Sequence, residues 1–96
     1  IGATDELAPS EVPTGARLVQ FGAFQNEEIA RSEWDRLSGR FEDLMEGKSR
    51  VIERAESGGT TFYRLRAYGF ADASDANRFC AALTAMNAAC VPTVQR

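Results

Sequence analysis

Phe62-Tyr63-Arg64-Leu65-Arg66-Ala67-Tyr68-Gly69-Phe70 reads as one β-strand with two chemistries. Side chains alternate along a strand, so Phe62, Arg64, Arg66 and Tyr68 share one face and Tyr63, Leu65 and Ala67 the other. The second face is suited to burial. The first presents cations beside aromatic rings, which fits a planar polar ligand with weakly apolar faces, a sugar ring or a base. A solvated face with stray aromatics is the alternative at this stage.

A shift of 46 residues lays the chain on itself: Val19 falls on Leu65, Gln20 on Arg66, Phe24 on Phe70, Asn26 on Asp72, Ala30 on Ala76 and Leu37 on Leu83. Each copy is a strand, a turn closed by Phe, a capped start and an amphipathic helix. If Leu65 points inward, so does Val19, and strict alternation then puts Val19, Phe21 and Ala23 inward. Leu18, Gln20 and Gly22 fall on the outward face with Arg64 and Arg66.

The remaining elements follow in order. Residues 1–16, with Pro9 and Pro13 and little periodicity, read as a flexible linker from a longer protein, and 17–96 as the domain. The opening at Ile1, with no Met and no signal-like segment, leads to the same expectation of a processed chain or a piece of one. Residues 17–24 form the first strand. Asn26 caps a helix whose stripe is Ala30, Trp34, Leu37, Phe41 and Leu44, with a break near 39–42 because of Gly39. Residues 50–56 and 60–67 form a hairpin across Gly58-Gly59. That turn sets Ile52 opposite Leu65 on the core side, and Glu53 opposite Arg64 and Val51 opposite Arg66 on the other. A Glu53–Arg64 ion pair is expected to orient the arginine.

Asp72, with Asp75 three residues on, caps the second helix, whose stripe is Ala76, Phe79, Cys80, Leu83 and Met86. Asn87 suits a left-handed C-terminal position. Residues 90–94 form the last strand, and Pro92 places it at a sheet edge. Cys80 and Cys90 are either two buried thiols or one bridge; the chain turns back between them, and the bridge is the expectation.

The order strand, helix, strand, strand, helix, strand is a split β-α-β layout: an α+β domain with a four-stranded antiparallel sheet, two helices on one face and the other face open. Right-handed crossovers put the first and third strands in the centre.

These residues resemble the sporulation-related repeat (SPOR) domain of bacterial cell-envelope proteins over about residues 17–94. Its motif Val-Gln-x-Gly-Ser/Ala-Phe is similar to Val19-Gln20-Phe21-Gly22-Ala23-Phe24, and its aromatic-Arg strand to Phe62–Phe70, with Tyr68-Gly69 where the family has Gly-Pro. The resemblance implies a non-catalytic periplasmic domain that binds peptidoglycan glycan strands, preferring those stripped of stem peptides, and so targets an envelope or cell-division protein to the septum. By position it implies Gln20 hydrogen-bonding sugar hydroxyl or N-acetyl groups, Phe62 offering a ring face and Arg64 adding directional donors. Arg66, Tyr68, Glu53 and Leu18 complete the expected glycan-binding set. Lactyl carboxylates exposed by removal of the peptides suit a planar guanidinium. Other envelope or division proteins are further expected partners. The domain is expected to be a monomer, with membrane attachment only through a segment outside this chain.

Other classes fit less well. A net charge of −3 argues against general nucleic-acid affinity, and Arg64-Leu65-Arg66-Ala67-Tyr68 does not match the central motif of an RNA-recognition module. A protein-interaction module using the same sheet face remains the alternative function. The chain has no His, and Glu53 is the one acid placed beside the polar face, so no catalytic residue is expected, nor any metal site or cofactor.

Overall fold

The turn at Gly58-Gly59 sets the sheet. Both glycines have positive φ, 57° and 82°, which suits the tight hairpin turn whose twist matches its strands. The computed structural model describes residues 5–96, in which this turn joins β3 (Ser49–Ser57) to β4 (Thr60–Tyr68). Ile52 pairs with Leu65, Glu53 with Arg64 and Val51 with Arg66, the register expected of a two-residue turn. On its other side β4 pairs antiparallel with β2 (Arg17–Phe24), and β5 (Val91–Val94) lies beyond β2 at the edge, where the missing N–H of Pro92 is tolerated.

The sheet has one more strand than expected. β1 (Glu6–Leu7) runs parallel to β3, so the sheet is mixed and five-stranded, in the order β1-β3-β4-β2-β5, rather than four-stranded and antiparallel. Residues 5–16, read from the sequence as linker, continue from β1 into a 3-10 turn at Pro9–Glu11. Val12 then drops onto the sheet face opposite the helices and forms a second small core with Leu18 and Val51. The burial of three aliphatic side chains orders a segment that has no periodicity of its own. Residues 1–4 of the expected linker lie outside the described residues.

Charge holds β1 in place as well. The Glu6 carboxylate accepts from Arg31 at 2.9 Å and from Arg50 at 2.6 Å. The Arg31 hydrogen bond is the main cause of a Glu6 pKa below the ordinary carboxylate value, partial burial opposing it and Arg50 adding to it. A depressed carboxylate pKa contributes stability above its unfolded value and loses it as pH falls through the folded one. Protection of the Arg50 N–H, which donates to the Asp5 carbonyl at 2.8 Å, is therefore expected to fall on acidification. In Glu6→Gln it is expected to be low at every pH, as hydrogen exchange will report.

The helices cover the other face. α1 (Glu27–Arg40) begins at Asn26, whose side chain accepts from the Ile29 N–H at 2.8 Å. It stops at Phe41, which leaves helical geometry (φ −126°, ψ 54°), and a single turn, α2 (Glu42–Met45), follows. The break advances the phase of the stripe, so Met45 is buried and Leu44, expected inside, is 36 % exposed. α3 (Ala73–Ala85) starts at Asp72, which accepts from the Asp75 N–H, while the Asp75 carboxylate accepts from the Ala71 N–H. Met86, also expected in the stripe, lies at the helix end and is 54 % exposed. Asn87 takes the left-handed position at φ 64°. Trp34 and Phe21 meet edge to face in the main core, with Phe79 beside them. A Cys80–Cys90 disulfide ties α3 to the start of β5.

Candidate functional site

Register decides which side chains share the face away from the helices. Starting from the turn, Ala55 and Phe62 form the first row across the sheet, then Glu53 and Arg64, then Val51 and Arg66, then Ser49 and Tyr68. β2 extends these rows with Ala23 beside Arg64, Gln20 beside Arg66 and Leu18 beside Tyr68, and β5 adds Val91 beside Gln20.

Ala23 stands there because β2 does not alternate throughout. A bulge at Phe21 puts two β2 residues against one of β4, so Gly22 pairs with Leu65 on the core side and Ala23 with Arg64 on the open side. The expectation of Ala23 inward and Gly22 outward is reversed. Glycine within a strand is the mark of such a bulge, and the ring of Phe24 lies 3.1 Å from where a Gly22 Cβ would sit. A side chain there would displace that ring.

The N-terminal segment divides the face. Leu18, expected to touch ligand, is 0 % exposed beneath Val12 and against Val51, and Tyr68 packs against the same cluster. Leu18 is therefore core, and Tyr68 has one side committed to packing. The part of the face left uncovered runs from the row of Gln20 to the row of Phe62. Val91, 62 % exposed, belongs to it and was missed in the sequence because the pairing of a four-residue edge strand is not written in its periodicity.

Polar contacts within this patch are specific. Arg66 donates from Nε to Gln20 Oε1 at 2.9 Å and from its NH1 group to Glu53 Oε1 at 2.7 Å. The expected Glu53–Arg64 ion pair is not made. Glu53 stands opposite Arg64 in register but reaches diagonally to Arg66, whose side chain is 11 % exposed and where an unpaired charge would be costly. Burial holds the Arg66 pKa below its ordinary value; Glu53 opposes this, and the Arg64 charge adds to it. Arg64 lies over the ring of Phe62 instead, 5.4 Å from its centroid. No ion pair to Arg64 occurs among the described residues. The patch thus offers an uncommitted guanidinium on an aromatic plate, next to an amide held by a second guanidinium. Such a surface suits an anionic, ring-shaped polar ligand. No cluster of three metal-ligating side chains occurs among the described residues, and none of their helices is long and apolar enough to cross a membrane.

Comparison with known proteins follows the same lines. The family profile described as SPOR domain matches residues 13–93. The cell division protein FtsN of Caulobacter vibrioides (strain NA1000 / CB15N) is 34 % identical over 72 residues, covering 75 % of this chain and 27 % of that protein. The chain therefore spans about a quarter of that relative's length. The solution structure of the peptidoglycan binding domain of the B. subtilis cell wall lytic enzyme CwlC superposes with a TM-score of 0.60 at 16 % identity, over 88 % of this chain and 95 % of that one, a likeness of fold. With residues 13–93 matched and both sequence motifs on the paired central strands β2 and β4, this chain belongs to the SPOR domain family.

Proposed function

We propose that the uncovered part of the sheet binds peptidoglycan glycan strands, with preference for strands stripped of stem peptides, and that it targets a periplasmic envelope or cell-division protein to them. The observation that carries this reading is Arg64, seated on Phe62 one row along the open face from Gln20 and without an ion-pair partner among the described residues. Removal of a stem peptide turns a neutral lactyl amide into a carboxylate, and a guanidinium distinguishes the two by charge and by two parallel hydrogen bonds. The Phe62 ring supplies an apolar plate for a sugar face. Membership of the SPOR family and the relatives' printed roles in cell division and peptidoglycan binding support the same reading. The domain acts by recruitment, and turnover of the glycan belongs to other proteins.

The test is retention on purified peptidoglycan, intact and after amidase treatment, with Arg64→Ala alongside. Stronger retention on the stripped material is expected, together with a loss of roughly 1.5–3 kcal/mol in Arg64→Ala, tenfold or more in affinity. The unfolding midpoint of that variant should stay close to wild type. Equal retention on both materials would remove the preference. No retention on either would remove the glycan reading and leave an envelope protein as the partner of this face.

A further inference from the structure

Arg66 is turned away from solvent, its side chain 11 % exposed, and its bonds are already made within the protein. A guanidinium carries donors and no acceptor. Its bond to Gln20 therefore settles the direction of the amide: Oε1 faces Arg66, and the NH2 group is the end left for a ligand. No protein acceptor for that NH2 occurs among the described residues. Glu53 completes the arrangement by holding the far side of Arg66 at 2.7 Å.

We propose that Arg66 is a positioning residue that fixes Gln20 as a hydrogen-bond donor, so that the face selects N-acetylated sugars over sugars bearing a free amine. The proposal rests on the glycan reading of the face given above. An N-acetyl carbonyl accepts from the Gln20 NH2. A sugar amine is protonated at neutral pH, offers donors only, and brings positive charge towards Arg64. Hydroxyl oxygens also accept, but they are common to both sugars and do not discriminate. Because the Gln20 oxygen is turned towards Arg66, the amide cannot turn over to present it to the ammonium without breaking that bond.

The experiment measures binding to solubilised, amidase-stripped glycan before and after chemical N-deacetylation. Wild type is expected to prefer the N-acetylated form by about tenfold or more, the size of one well-formed hydrogen bond together with charge repulsion. Arg66→Lys keeps the positive charge, so repulsion of the ammonium is unchanged, but a single ammonium drawn to Glu53 no longer holds Gln20. Its preference should fall to the level of Gln20→Ala.

A second variant does not depend on how Arg66→Lys folds. Gln20→Glu still accepts from Arg66 but presents only acceptors to the ligand, so the preference should reverse towards the free amine. Full preference in Arg66→Lys, equal loss of both ligands in that variant, or no reversal in Gln20→Glu would overturn the positioning role. Equal binding of both glycans by wild type would overturn the selection while leaving glycan binding intact. Binding of neither would overturn the glycan reading itself.

Discussion

Leu18→Ala is expected to destabilise the domain by about 2–5 kcal/mol, the range for truncating a fully buried leucine. Leu18 is enclosed on the side of the sheet that the helices do not cover. Val12 and Val51 are buried with it, and Leu7, Ala16 and Tyr68 pack around them. The lid of this small core is a 3-10 turn tied down at its start by the Glu6 pairs with Arg31 and Arg50. It is further tied at its end by backbone bonds between Gly15, Ala16 and Gln95. Tethered at both ends, the lid has little freedom to close over a cavity. Urea unfolding is the measurement, with Leu18→Met as the volume-conserving control, expected to lose less than about 1.5 kcal/mol. If Leu18→Ala kept the wild-type midpoint and lost glycan binding, the cluster would be open in solution and Leu18 a ligand contact. Since domains of this kind are stable by only about 5–15 kcal/mol, the expected loss is a large share of the total.

The second large effect is expected from the disulfide. Replacing both Cys80 and Cys90 by serine should lower stability by about 3 kcal/mol, the chain-entropy value for a loop of this length. The bond does local work too. β5 is a four-residue edge strand that contains Pro92 and, among the described residues, pairs with β2 alone; its far end is held by the Gln95 backbone bonds to Gly15 and Ala16, and the disulfide holds its start. Val91, beside Gln20, moves with it. Reductant should therefore lower the unfolding midpoint of the wild type and accelerate amide exchange in β5 before the rest of the sheet. The double serine variant should show neither response to reductant. An unchanged wild-type midpoint in reductant would mean that α3 and β5 hold each other without the bond.

Local sequence carried the skeleton of this domain. Gly58-Gly59 sets a two-residue turn, and a two-residue turn leaves one register for β3 and β4. Asn26 and Asp72 set the helix starts, and the stripe from Ala30 to Leu37 set the face of α1 that is buried. The 46-residue repeat placed Gln20 and Arg66 on equivalent strands, where they are direct neighbours. The candidate patch was legible to the same extent, since Gln20, Phe62 and Arg64 fall on one face by alternation and register alone.

Tertiary structure decided the rest, because it depends on contacts between residues far apart in the chain. Leu7 and Val12 look like isolated apolar residues in a linker, and only the presence of Leu18 and Val51 beneath them makes their segment a fifth strand and a lid. Glu53 was placed opposite Arg64 by register, but its carboxylate reaches diagonally to the largely buried charge of Arg66. The bulge at Phe21 exchanged Gly22 and Ala23 between faces, and with them it turns Phe24, which strict alternation would leave on the open face, onto the main core beside Tyr63. Periodicity reports what each residue prefers along its own element. Which half of an open face stays open depends on what the chain brings back across it.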